Sequence, residues 1–412
     1  MLALKTDTEA VCEVILRFNA GRDNQRLQMK YALMRKSAFG FFRGTCHLFY
    51  DRLPYDPFLA ESPLVWCCGD LHLENFGSYK GDNRLAYFDI NDFDEASRAP
   101  LAWDVLRLLT SLFVALPELE IQASDAQILA TELLDSYALT LASGKPRWVE
   151  AETASGMIKQ LLDEVKTRQR VDFLDTRTTK KNKKTRALKV DGKKALPASQ
   201  AKRDMVMGFM ESYAKTQEQP AFFEAVDVAR RVAGNGSLGL ERYLVLVKGK
   251  GGEDGHYLLD LKAAVAASMV KNFQRFQLHP AAWPSDAERI VQLQQRLQSV
   301  PMAFLRAVTM DGRDFVLRAL QASEDRIRLA PLNHSLPELV ALVRTLGVLS
   351  ASAHLRASGR GGSAIADELV AFGAHTNWQA PAIALARHCA AQTEVDWQAF
   401  CAGFDQGEFA QN

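Results

Sequence analysis

Hydrophobic residues recur along the first part of the chain in two different patterns. Where they recur about every 3.6 positions, the pattern predicts a helix with one buried face. Where they form a short unbroken run between polar or glycine-containing turns, it predicts a strand. The predicted helices are 8–36, 103–116 and two within 126–165, and the predicted strands are 64–68 and 85–90.

The pattern changes twice in the second half of the chain. Short apolar runs within 226–262, separated by glycine-rich turns, predict successive strands. Two further alternating runs flank Asp311-Gly312, a pair that is typical of a β-hairpin turn. A helix is predicted at 287–298, and the part from Leu336 is helical in pattern. The order, helical then β-rich then helical, predicts an α+β fold.

The composition is that of a soluble globular protein with a substantial core. Of the 412 residues, 48% are hydrophobic and 24% are charged, and the formal net charge of +1 gives no bulk attraction for nucleic acid. The chain has neither the apolar run of about eighteen residues that a membrane span needs nor an N-terminal secretory pattern. The six cysteines lack zinc-binding spacing, so we expect reduced, partly buried thiols in a cytoplasmic protein.

A strongly basic segment begins at about Lys166 and extends to Lys194. Lysine and arginine dominate it, and a proline-containing turn follows it. Such a run favours a solvated, mobile insertion, and the alternative is a basic flap over an anionic substrate. The run by itself does not identify nucleic acid as a partner.

The candidate chemistry begins with the loop from Cys68 to Phe76, which follows a predicted strand. Asp70 precedes Asn75 by five positions, which is the catalytic-loop spacing of protein kinases and their relatives. In that chemistry Asp70 accepts or orients the proton of an attacking hydroxyl, and Asn75 holds Mg²⁺ against the phosphates of a nucleotide. His72 is a ligand, a substrate contact or a core histidine that holds the loop through hydrogen bonds.

A second acidic motif follows at 87–96, where the next predicted strand ends. A strand that delivers a carboxylate at its carboxyl end is what a kinase metal site requires, and Asp92 is the first candidate. Asp94 is a candidate for a second ligand, and Asp89 is a weaker competitor. Carboxylates this close together repel one another unless a cation neutralises them. An acidic surface patch explains the motif poorly, because apolar residues are interleaved with the carboxylates.

A glycine-rich loop precedes a further predicted strand. A dinucleotide site would need a helix after the glycines, whereas the pattern of 240–247 predicts a strand. In kinases a glycine-rich loop between two strands covers the phosphates of the nucleotide. The backbone N–H groups of that loop approach the phosphates closely because glycine has no side chain. The candidate phosphate contacts are Gly234, Gly236, Ser237 and Gly239.

Two basic residues are candidates for contacts with the nucleotide. Lys262 lies where the phosphate-pairing lysine of kinases would lie, and the alternative is an exposed lysine at a sheet edge. Kinases pair that lysine with a glutamate on the following helix, for which Glu288 is the candidate. Arg43, in the aromatic segment 39–43, either contacts phosphate, pairs with a site carboxylate or packs over the aromatic rings.

These motifs occur in an unusual order. In kinases the glycine loop and lysine come first, whereas here the catalytic loop and acidic motif precede them. If all belong to one site, the chain is a circularly permuted, two-lobed protein-kinase-like fold, which is tolerable because domain termini often lie close together. The expected division is a first large-lobe part at 1–165, a basic insertion and connecting helix at 166–224, a β-rich nucleotide-binding small lobe at 225–332, and the helical remainder of the large lobe at 333–412.

Most of the chain resembles a bacterial family known only as domain of unknown function 2252. The resemblance lies in segments 34–44, 69–77, 89–95 and 232–239. The two acidic segments also resemble the aminoglycoside and choline kinase-like superfamily, in which GDLHxxN and IDFDxA segments form the catalytic loop and metal site. An aspartate opens the next helix in that superfamily, and the resemblance implies that Asp104 fills this position and braces the loop.

The resemblance implies a kinase-like transfer from ATP, with Mg²⁺, to a small molecule or protein. Two positions depart from the superfamily: Cys68 stands where histidine is frequent, and Ala263-Ala264 follow Lys262 where related sequences tend to have an acidic residue. Three functions therefore compete: a phosphotransferase, an adenylyl transferase on the same fold, and a catalytically silent nucleotide-binding regulator. The expected partners are a nucleotide and an unidentified acceptor substrate, with no membrane and no specific nucleic acid.

Overall fold

Helices and strands follow one another in the mixed α+β arrangement that the hydrophobic pattern predicts. The computed structural model describes residues 8–181, 185–252, 254–327 and 335–410. The helices are α1 Thr8–Asn19, α2 Asn24–Lys36, α3 Ala38–Gly44, α4 Cys46–Arg52, α5 Pro57–Glu61, α6 Leu101–Leu119, α7 Ala123–Ser143, α8 Gly156–Thr167, α9 Arg170–Asp175, α10 Gln200–Lys215, α11 Asp286–Leu297, α12 Leu336–Arg356, α13 Ala366–Ala374 and α14 Gln379–Asp405. The strands are β1 Leu64–Cys67, β2 Phe76–Lys80, β3 Ala86–Ile90, β4 Ser97–Pro100, β5 Thr178–Lys180, β6 Arg186–Leu188, β7 Ala195–Leu196, β8 Ala225–Arg231, β9 Arg242–Val247, β10 Tyr257–Ala263, β11 Arg306–Met310 and β12 Arg313–Ala319.

The turns show where the predicted elements are confirmed and where one is corrected. The pattern at 8–36 predicts helix throughout, but the chain turns between α1 and α2. Gly21 has a left-handed φ of 77° there, and Asp23 caps α2 by accepting a hydrogen bond from the backbone N–H of Arg26. The hairpin between β11 and β12 is confirmed, because Asp311 and Gly312 form a two-residue turn in which both have positive φ.

A six-stranded antiparallel sheet forms the β-rich part, in the order β11-β12-β10-β9-β8-β7. Alternate residues of each strand point to opposite faces of the sheet. On one face, apolar side chains such as Val245 and Leu261 pack against α10. On the other face, the central strands carry leucines towards one end and buried charged residues, among them Asp260 and Lys262, towards the other. The charged end of this face meets the acidic loop that follows β3.

The basic segment folds as part of this β-rich half. Its described residues include α9, β5 and β6, and Leu174 packs against the leucines of the sheet. Arg186 is 1% exposed and forms ion pairs with Asp175 and Asp254. The described part of the segment therefore has regular secondary structure and is anchored to the sheet, while its lysines are exposed to solvent as the sequence predicts. Its mobility stays a prediction, and residues 182–184 lie outside the described part. Strand β7 joins the sheet and α10 covers it, so the β-rich half begins before the predicted boundary at 225.

The remaining helices form a body around the largest hydrophobic core. Helices α6, α7, α12 and α14 contribute to it, and two short antiparallel pairs, β1 with β4 and β2 with β3, lie beside them. Helix α1 packs against α14, so the two ends of the described chain lie together. One described helix, α12, has the length and apolar composition of a membrane span, but 56% of that stretch is buried in the fold. Packing against α7 accounts for its apolar residues.

Candidate active site

A cleft lies between the helical body and the sheet, and most of the predicted site residues line it. Three chain segments meet there: the loop after β1, the loop after β3 and the glycine-rich loop between β8 and β9. The predicted residues that line the cleft are Arg43, Asp70, His72, Asn75, Asp92, Asp94, Gly234, Gly236 and Ser237.

The loop after β1 is held in place by Asp104, near the start of α6. The two carboxylate oxygens of Asp104 accept hydrogen bonds from the backbone N–H groups of Cys68 and Gly69, at 2.7 and 2.8 Å. Asp104 is 1% exposed and also contacts His354, whose other ring nitrogen bonds the hydroxyl of Tyr137. Asp104 thus braces the loop in the way that the resemblance implies.

Gly69 provides the sharp turn that leads into Asp70. Its φ of 83° is left-handed, and a Cβ at this position would lie 2.2 Å from the carbonyl oxygen of Glu95. Any other residue would force the two loops apart. The carbonyl of Gly69 also accepts a hydrogen bond of 2.5 Å from the buried hydroxyl of Tyr50. The catalytic-loop candidate and the acidic loop are therefore in direct backbone contact.

Asp70 is fixed by an arginine that the sequence motifs do not include. Arg107, from α6, donates from both Nε and Nη2 to Asp70 Oδ1, at 2.8 and 2.5 Å. Its guanidinium is 0% exposed and lies over the ring of Phe42, with 4.1 Å between Cζ and the ring centroid. Burial raises the pKa of the Asp70 carboxyl, and the charge of Arg107 opposes that rise. Oδ2 stays outside this ion pair.

Asn75 presents an oxygen that suits a hard cation. Its side-chain N–H groups donate to the carbonyl oxygens of Asp70 and Asp92, at 2.9 and 3.3 Å, which fixes the orientation of the amide. Its Oδ1 is buried and, within the described part of the chain, has no hydrogen-bond partner. A buried carbonyl oxygen without a donor is costly, and a bound Mg²⁺ would compensate it.

Asp92 and Asp94 share one lysine. Lys262 Nζ contacts Asp94 Oδ2 and lies 3.6 Å from Asp92 Oδ1, and the lysine is 3% exposed. Burial disfavours the charged form of Asp92, but Lys262 and nearby arginines, Arg326 first among them, hold its pKa well below the usual range. Both carboxylates are thus adjacent to a fixed cation, and Asp92 stays ionised. Asn75 and these two aspartates make an oxygen-only ligand set that fits Mg²⁺.

Asp89 points away from this group. It is 0% exposed and accepts hydrogen bonds from the backbone N–H groups of Ile90 and Ser299, at 2.9 and 3.1 Å. Arg356 Nη2 lies 3.4 Å from it. These contacts give Asp89 a structural role in anchoring β3, so of the three aspartates proposed as metal ligands only Asp92 and Asp94 line the cleft.

The glycine-rich loop lies directly over Asp70. A Cβ on Gly236 would be 4.0 Å from Asp70 Oδ2. Arg22 and Lys30 both donate to the carbonyl oxygen of Gly236, at 3.1 and 3.2 Å, and so attach the loop to the first two helices. In the described residues, the backbone N–H groups of Gly236 and Ser237 have no hydrogen-bond acceptor. Free N–H groups at a glycine are the kind that approach phosphate oxygens.

Arg43 and His72 contribute mainly to the structure of the cleft wall. Arg43 forms an ion pair with Glu74, and its guanidinium lies 5.7 Å from the ring centroid of Phe39. His72 is 6% exposed, and its Nδ1 accepts a hydrogen bond of 3.1 Å from the backbone N–H of Glu74. Burial and the neighbouring Arg43 and Arg107 charges lower the pKa of His72 well below its usual range, so its imidazole is neutral.

Two predicted residues lie outside the cleft. Gly239 packs on the far side of its loop, where a Cβ would lie 2.9 Å from the Cβ of Arg22. Glu288 bonds Gln292 on the outer side of α11, at 3.1 Å, and Lys262 pairs with the acidic loop instead. The residue of α11 that reaches this loop is Arg289, which donates to the carbonyl oxygens of Asp94 and Ala96. The structure therefore does not form the predicted lysine–glutamate pair.

A group of buried arginines lies beside the acidic loop, on the charged end of the sheet. Arg231, Arg242 and Arg318 all form ion pairs with Asp260, which is 0% exposed. Arg326 lines the cleft and, among the residues that the structure describes, has no acidic partner at ion-pair distance. Positive charge therefore exceeds negative charge at this end of the cleft.

Most of the arginines in and beside the cleft could not be predicted from local sequence motifs. Arg107 is the exception, because it lies three positions after Asp104 on one helix, and residues at that spacing share a face. The sequence around Arg326 has no comparable spacing to a predicted site residue. It reaches the cleft only because its backbone pairs with Gly77, on a strand far away in sequence.

Cys67, Asp104 and His354 form a compact buried group outside the cleft, with their ligand atoms within 4.8 Å of one another. Each already has a partner: the Cys67 thiol is 3.6 Å from the carbonyl oxygen of Ala99, and Asp104 and His354 brace the loop. The group is accounted for by these hydrogen bonds. All six cysteines are free, and all but Cys401 are buried, as the sequence predicts.

Comparison with known proteins gives one match. Neither the curated proteins nor the solved structures include one that matches the chain significantly. A family model described as an uncharacterised protein conserved in bacteria, DUF2252, matches residues 22–403. This match covers the three loops of the cleft and nearly all of the fold. The chain therefore belongs to the uncharacterised conserved bacterial family DUF2252.

Proposed function

We propose that the protein is a kinase-like phosphotransferase that uses ATP and Mg²⁺. The observation that carries this proposal is the meeting of Asp70, Asn75 and Asp92 with the glycine-rich loop across one cleft. These residues come from segments that are far apart in the chain, and they have the chemical types that phosphoryl transfer requires. An acidic surface patch or an isolated glycine turn would not bring them together.

The sheet supports a two-lobed, kinase-like architecture with permuted connectivity. Strands β8, β9 and β10 are successive antiparallel neighbours, with the glycine-rich loop between the first two and Lys262 on the third. Helix α11 follows β10, although Arg289 replaces the expected glutamate in its contact with the cleft. The packing of α1 on α14 brings the chain ends together, which is the condition that permutation requires.

The residues fit the proposed cofactors. Asn75 Oδ1, Asp92 and Asp94 would hold Mg²⁺, which would neutralise charge on the β- and γ-phosphates. Lys262 would share that role after moving from the carboxylates towards phosphate oxygens. The N–H groups of Gly236 and Ser237 would cover the phosphates from above.

Asp70 would act on the acceptor. An acceptor hydroxyl donates its proton to Asp70 as its oxygen bonds to the γ-phosphorus, and the bond from that phosphorus to the β–γ bridging oxygen breaks to release ADP. Arg107 holds Asp70 in one orientation during this transfer. The acceptor is an unidentified small molecule or protein. A dependence on ATP together with free cysteines fits the cytoplasm.

Adenylyl transfer on the same fold is the second candidate, and the buried arginines favour it. Arg242, Arg318 and Arg326 lie where positive charge would attract the terminal phosphates of a nucleotide. A nucleotide held this way would place its α-phosphorus near Asp70, and pyrophosphate would leave.

Thermal melting and product analysis test these proposals. Mg²⁺ with ATP should raise the Tm, by an amount that corresponds to about 2.7 kcal/mol at a hundred times the Kd. Asp92→Asn should abolish the rise, whereas Asp163→Asn, an exposed aspartate on α8, should retain it. No rise in the parent protein at millimolar ATP would refute nucleotide binding. Release of ADP supports phosphoryl transfer, and release of pyrophosphate supports adenylyl transfer instead.

A further inference from the structure

A second cavity lies outside the cleft, between the sheet and helices α8 and α9. We call it the aromatic pocket; its cavity volume is about 610 Å³, and it is partly open to solvent. Its wall is built from side chains that come from six separate stretches of the chain. The aromatic residues that line it are Tyr79, Phe173, Phe222, Tyr257 and Phe304.

Three of these rings form one continuous wall. The ring centroids of Phe222 and Tyr257 are 4.8 Å apart, those of Phe222 and Phe304 are 5.5 Å apart, and those of Tyr257 and Phe304 are 6.0 Å apart. Each ring is partly exposed. Rings at these separations provide flat apolar surface on which another ring packs well.

The charges around this wall are almost all positive. Five basic side chains and one acidic side chain line the aromatic pocket, and the acid, Asp325, is already paired with Arg168 at 2.6 Å. Arg170 lies over the ring of Tyr257 at 3.8 Å, and Arg84 lies over the ring of Phe304 at 4.9 Å. Among the described residues, neither Arg84 nor Arg170 has a carboxylate partner at ion-pair distance.

The excess of positive charge also affects Lys80, another basic residue of the pocket. Burial lowers the pKa of Lys80, and repulsion from Arg168 and Arg170 lowers it further. Cations that repel one another across an apolar cavity are stabilised by an anion that enters it.

The backbone holds two of these side chains in uncommon conformations. Arg84 and Phe304 have left-handed φ values of 69° and 62°, in a region that residues other than glycine rarely occupy. Their loops are joined by the bridge between Gly81 and Met302. The bridge keeps the guanidinium of Arg84 stacked on Phe304 at the rim of the cavity, so this part of the wall is preformed.

We propose that the aromatic pocket binds a small organic anion with an aromatic body and a carboxylate or phosphate group. The body packs against the wall of Phe222, Tyr257 and Phe304, and the anionic group pairs with Arg84 and Arg170. This division between an apolar surface and a few fixed charges is typical of small-molecule sites. A carboxylate and a phosphate both accept two parallel hydrogen bonds from a guanidinium.

The proposed site is separate from the nucleotide cleft but shares a wall with it. The segment 320–326 forms this wall: Gln321 and Asp325 face the aromatic pocket, whereas Arg326 faces the cleft. Gln321 also donates to Asn91 Oδ1 at 2.9 Å, directly before the proposed metal ligand Asp92. The two sites therefore share one chain segment, and binding in the aromatic pocket does not depend on the proposed reaction.

Calorimetric titration with 1-naphthoate and 1-naphthyl phosphate tests the proposal on the full chain. At least one of them should bind at one site per chain, and Arg170→Ala should weaken that binding roughly ten- to a hundredfold. Arg170 is exposed, so its replacement should leave the Tm unchanged. The matched control is Arg275→Ala, another exposed arginine stacked on a ring, that of Phe276, and it should bind like the parent.

Two further probes test the chemical class. Decanoate should bind more weakly than 1-naphthoate, and uncharged 1-naphthalenemethanol should bind more weakly still. Equal binding of decanoate would refute the aromatic body, and equal binding of the alcohol would refute the anionic group. Failure of both naphthyl anions to bind, or the same affinity in Arg170→Ala, would overturn the site itself. Asp92→Asn should bind the naphthyl anions normally, which distinguishes this result from a failure of the nucleotide proposal.

Discussion

Arg107 donates two hydrogen bonds to one oxygen of Asp70 and none to the other. Both bonds end on Oδ1, while Oδ2 faces the glycine-rich loop. A general base needs one oxygen free for the incoming proton and a fixed direction of approach. In the proposed reaction the ion pair would supply the direction, and Oδ2, which Arg107 does not contact, would receive the proton.

Replacement of Arg107 should reduce transfer more than nucleotide binding. Arg107→Gln removes a charge that lowers the pKa of Asp70, so the acidic limb of the pH–rate profile should move to higher pH. The rate should fall roughly a hundredfold or more, while the Tm rise with Mg²⁺ and ATP persists. Arg107→Lys keeps the charge and should recover part of the rate with a profile near that of the parent. An unshifted profile in Arg107→Gln would contradict the positioning role.

Gly69→Ala should destabilise the fold strongly. Its Cβ would lie 2.2 Å from the carbonyl oxygen of Glu95, and its φ is left-handed, so steric overlap adds to backbone strain. Gly21→Ala is the matched control, because Gly21 has a similar φ of 77° and nothing lies within 4 Å of its Cβ position. We expect a loss of about 1–2 kcal/mol at Gly21 and a clearly larger loss at Gly69. Urea unfolding measures both, and equal losses would contradict the loop contact.

Glu95 should make stability depend on pH near neutrality. Burial raises its pKa to about 7, and the hydrogen bonds from Ser268 oppose the rise. Its carboxyl binds a proton more tightly in the folded state, so the free energy of unfolding should fall as pH rises from about 4.5 to about 7, by up to roughly 3 kcal/mol. Below that window both states are protonated and the contribution is fully present.

Glu95→Gln isolates this contribution. Glutamine stays neutral, so the variant should lose the fall between pH 4.5 and 7 while it keeps the other pH-dependent terms. Chemical unfolding without Mg²⁺ at several pH values gives the difference between the two proteins. If that difference does not change with pH, the raised pKa of Glu95 is wrong.

Lys262→Met should separate the binding of Mg²⁺ from the binding of ATP. In the parent protein Lys262 neutralises Asp92 and Asp94, and it would therefore compete with the proposed Mg²⁺ for them. Without the lysine the two carboxylates repel one another, and Mg²⁺ alone should raise the Tm of the variant more than that of the parent. The further rise on addition of ATP should be smaller, because a phosphate partner is lost. Equal responses to Mg²⁺ would show that Lys262 does not share the metal site.

The motifs of the cleft could be predicted because their spacing is local. Asp70 and Asn75 lie in one loop, and the strand after the glycines is visible as a short unbroken apolar run. Which residue of α11 faces the cleft could not be predicted in the same way. One position along a helix rotates a side chain by about 100°, so Glu288, the predicted partner of Lys262, points elsewhere. Arg289, the next residue, is the one that faces the acidic loop.

The basic segment shows a second limit of local patterns. Its many charges predict exposure, yet Arg186 is buried between Asp175 and Asp254, 11 and 68 residues away. Charge density along a sequence does not reveal whether distant carboxylates neutralise it. The apolar contacts of Leu174 and Leu188 with the sheet are equally hard to predict when most of the neighbouring residues in the sequence are polar.

The attachment of the glycine-rich loop to the first two helices has a consequence for biosynthesis. Lys30 donates a hydrogen bond to the carbonyl oxygen of Gly236, which lies 206 residues later in the chain. At ordinary bacterial and eukaryotic rates of translation, the ribosome needs roughly ten to forty seconds to make that stretch. During this interval the newly made carboxylates of Asp92 and Asp94 emerge before their lysine exists. Completion of the cleft is therefore a late, non-local event in synthesis, and the N-terminal half of the chain must wait for it.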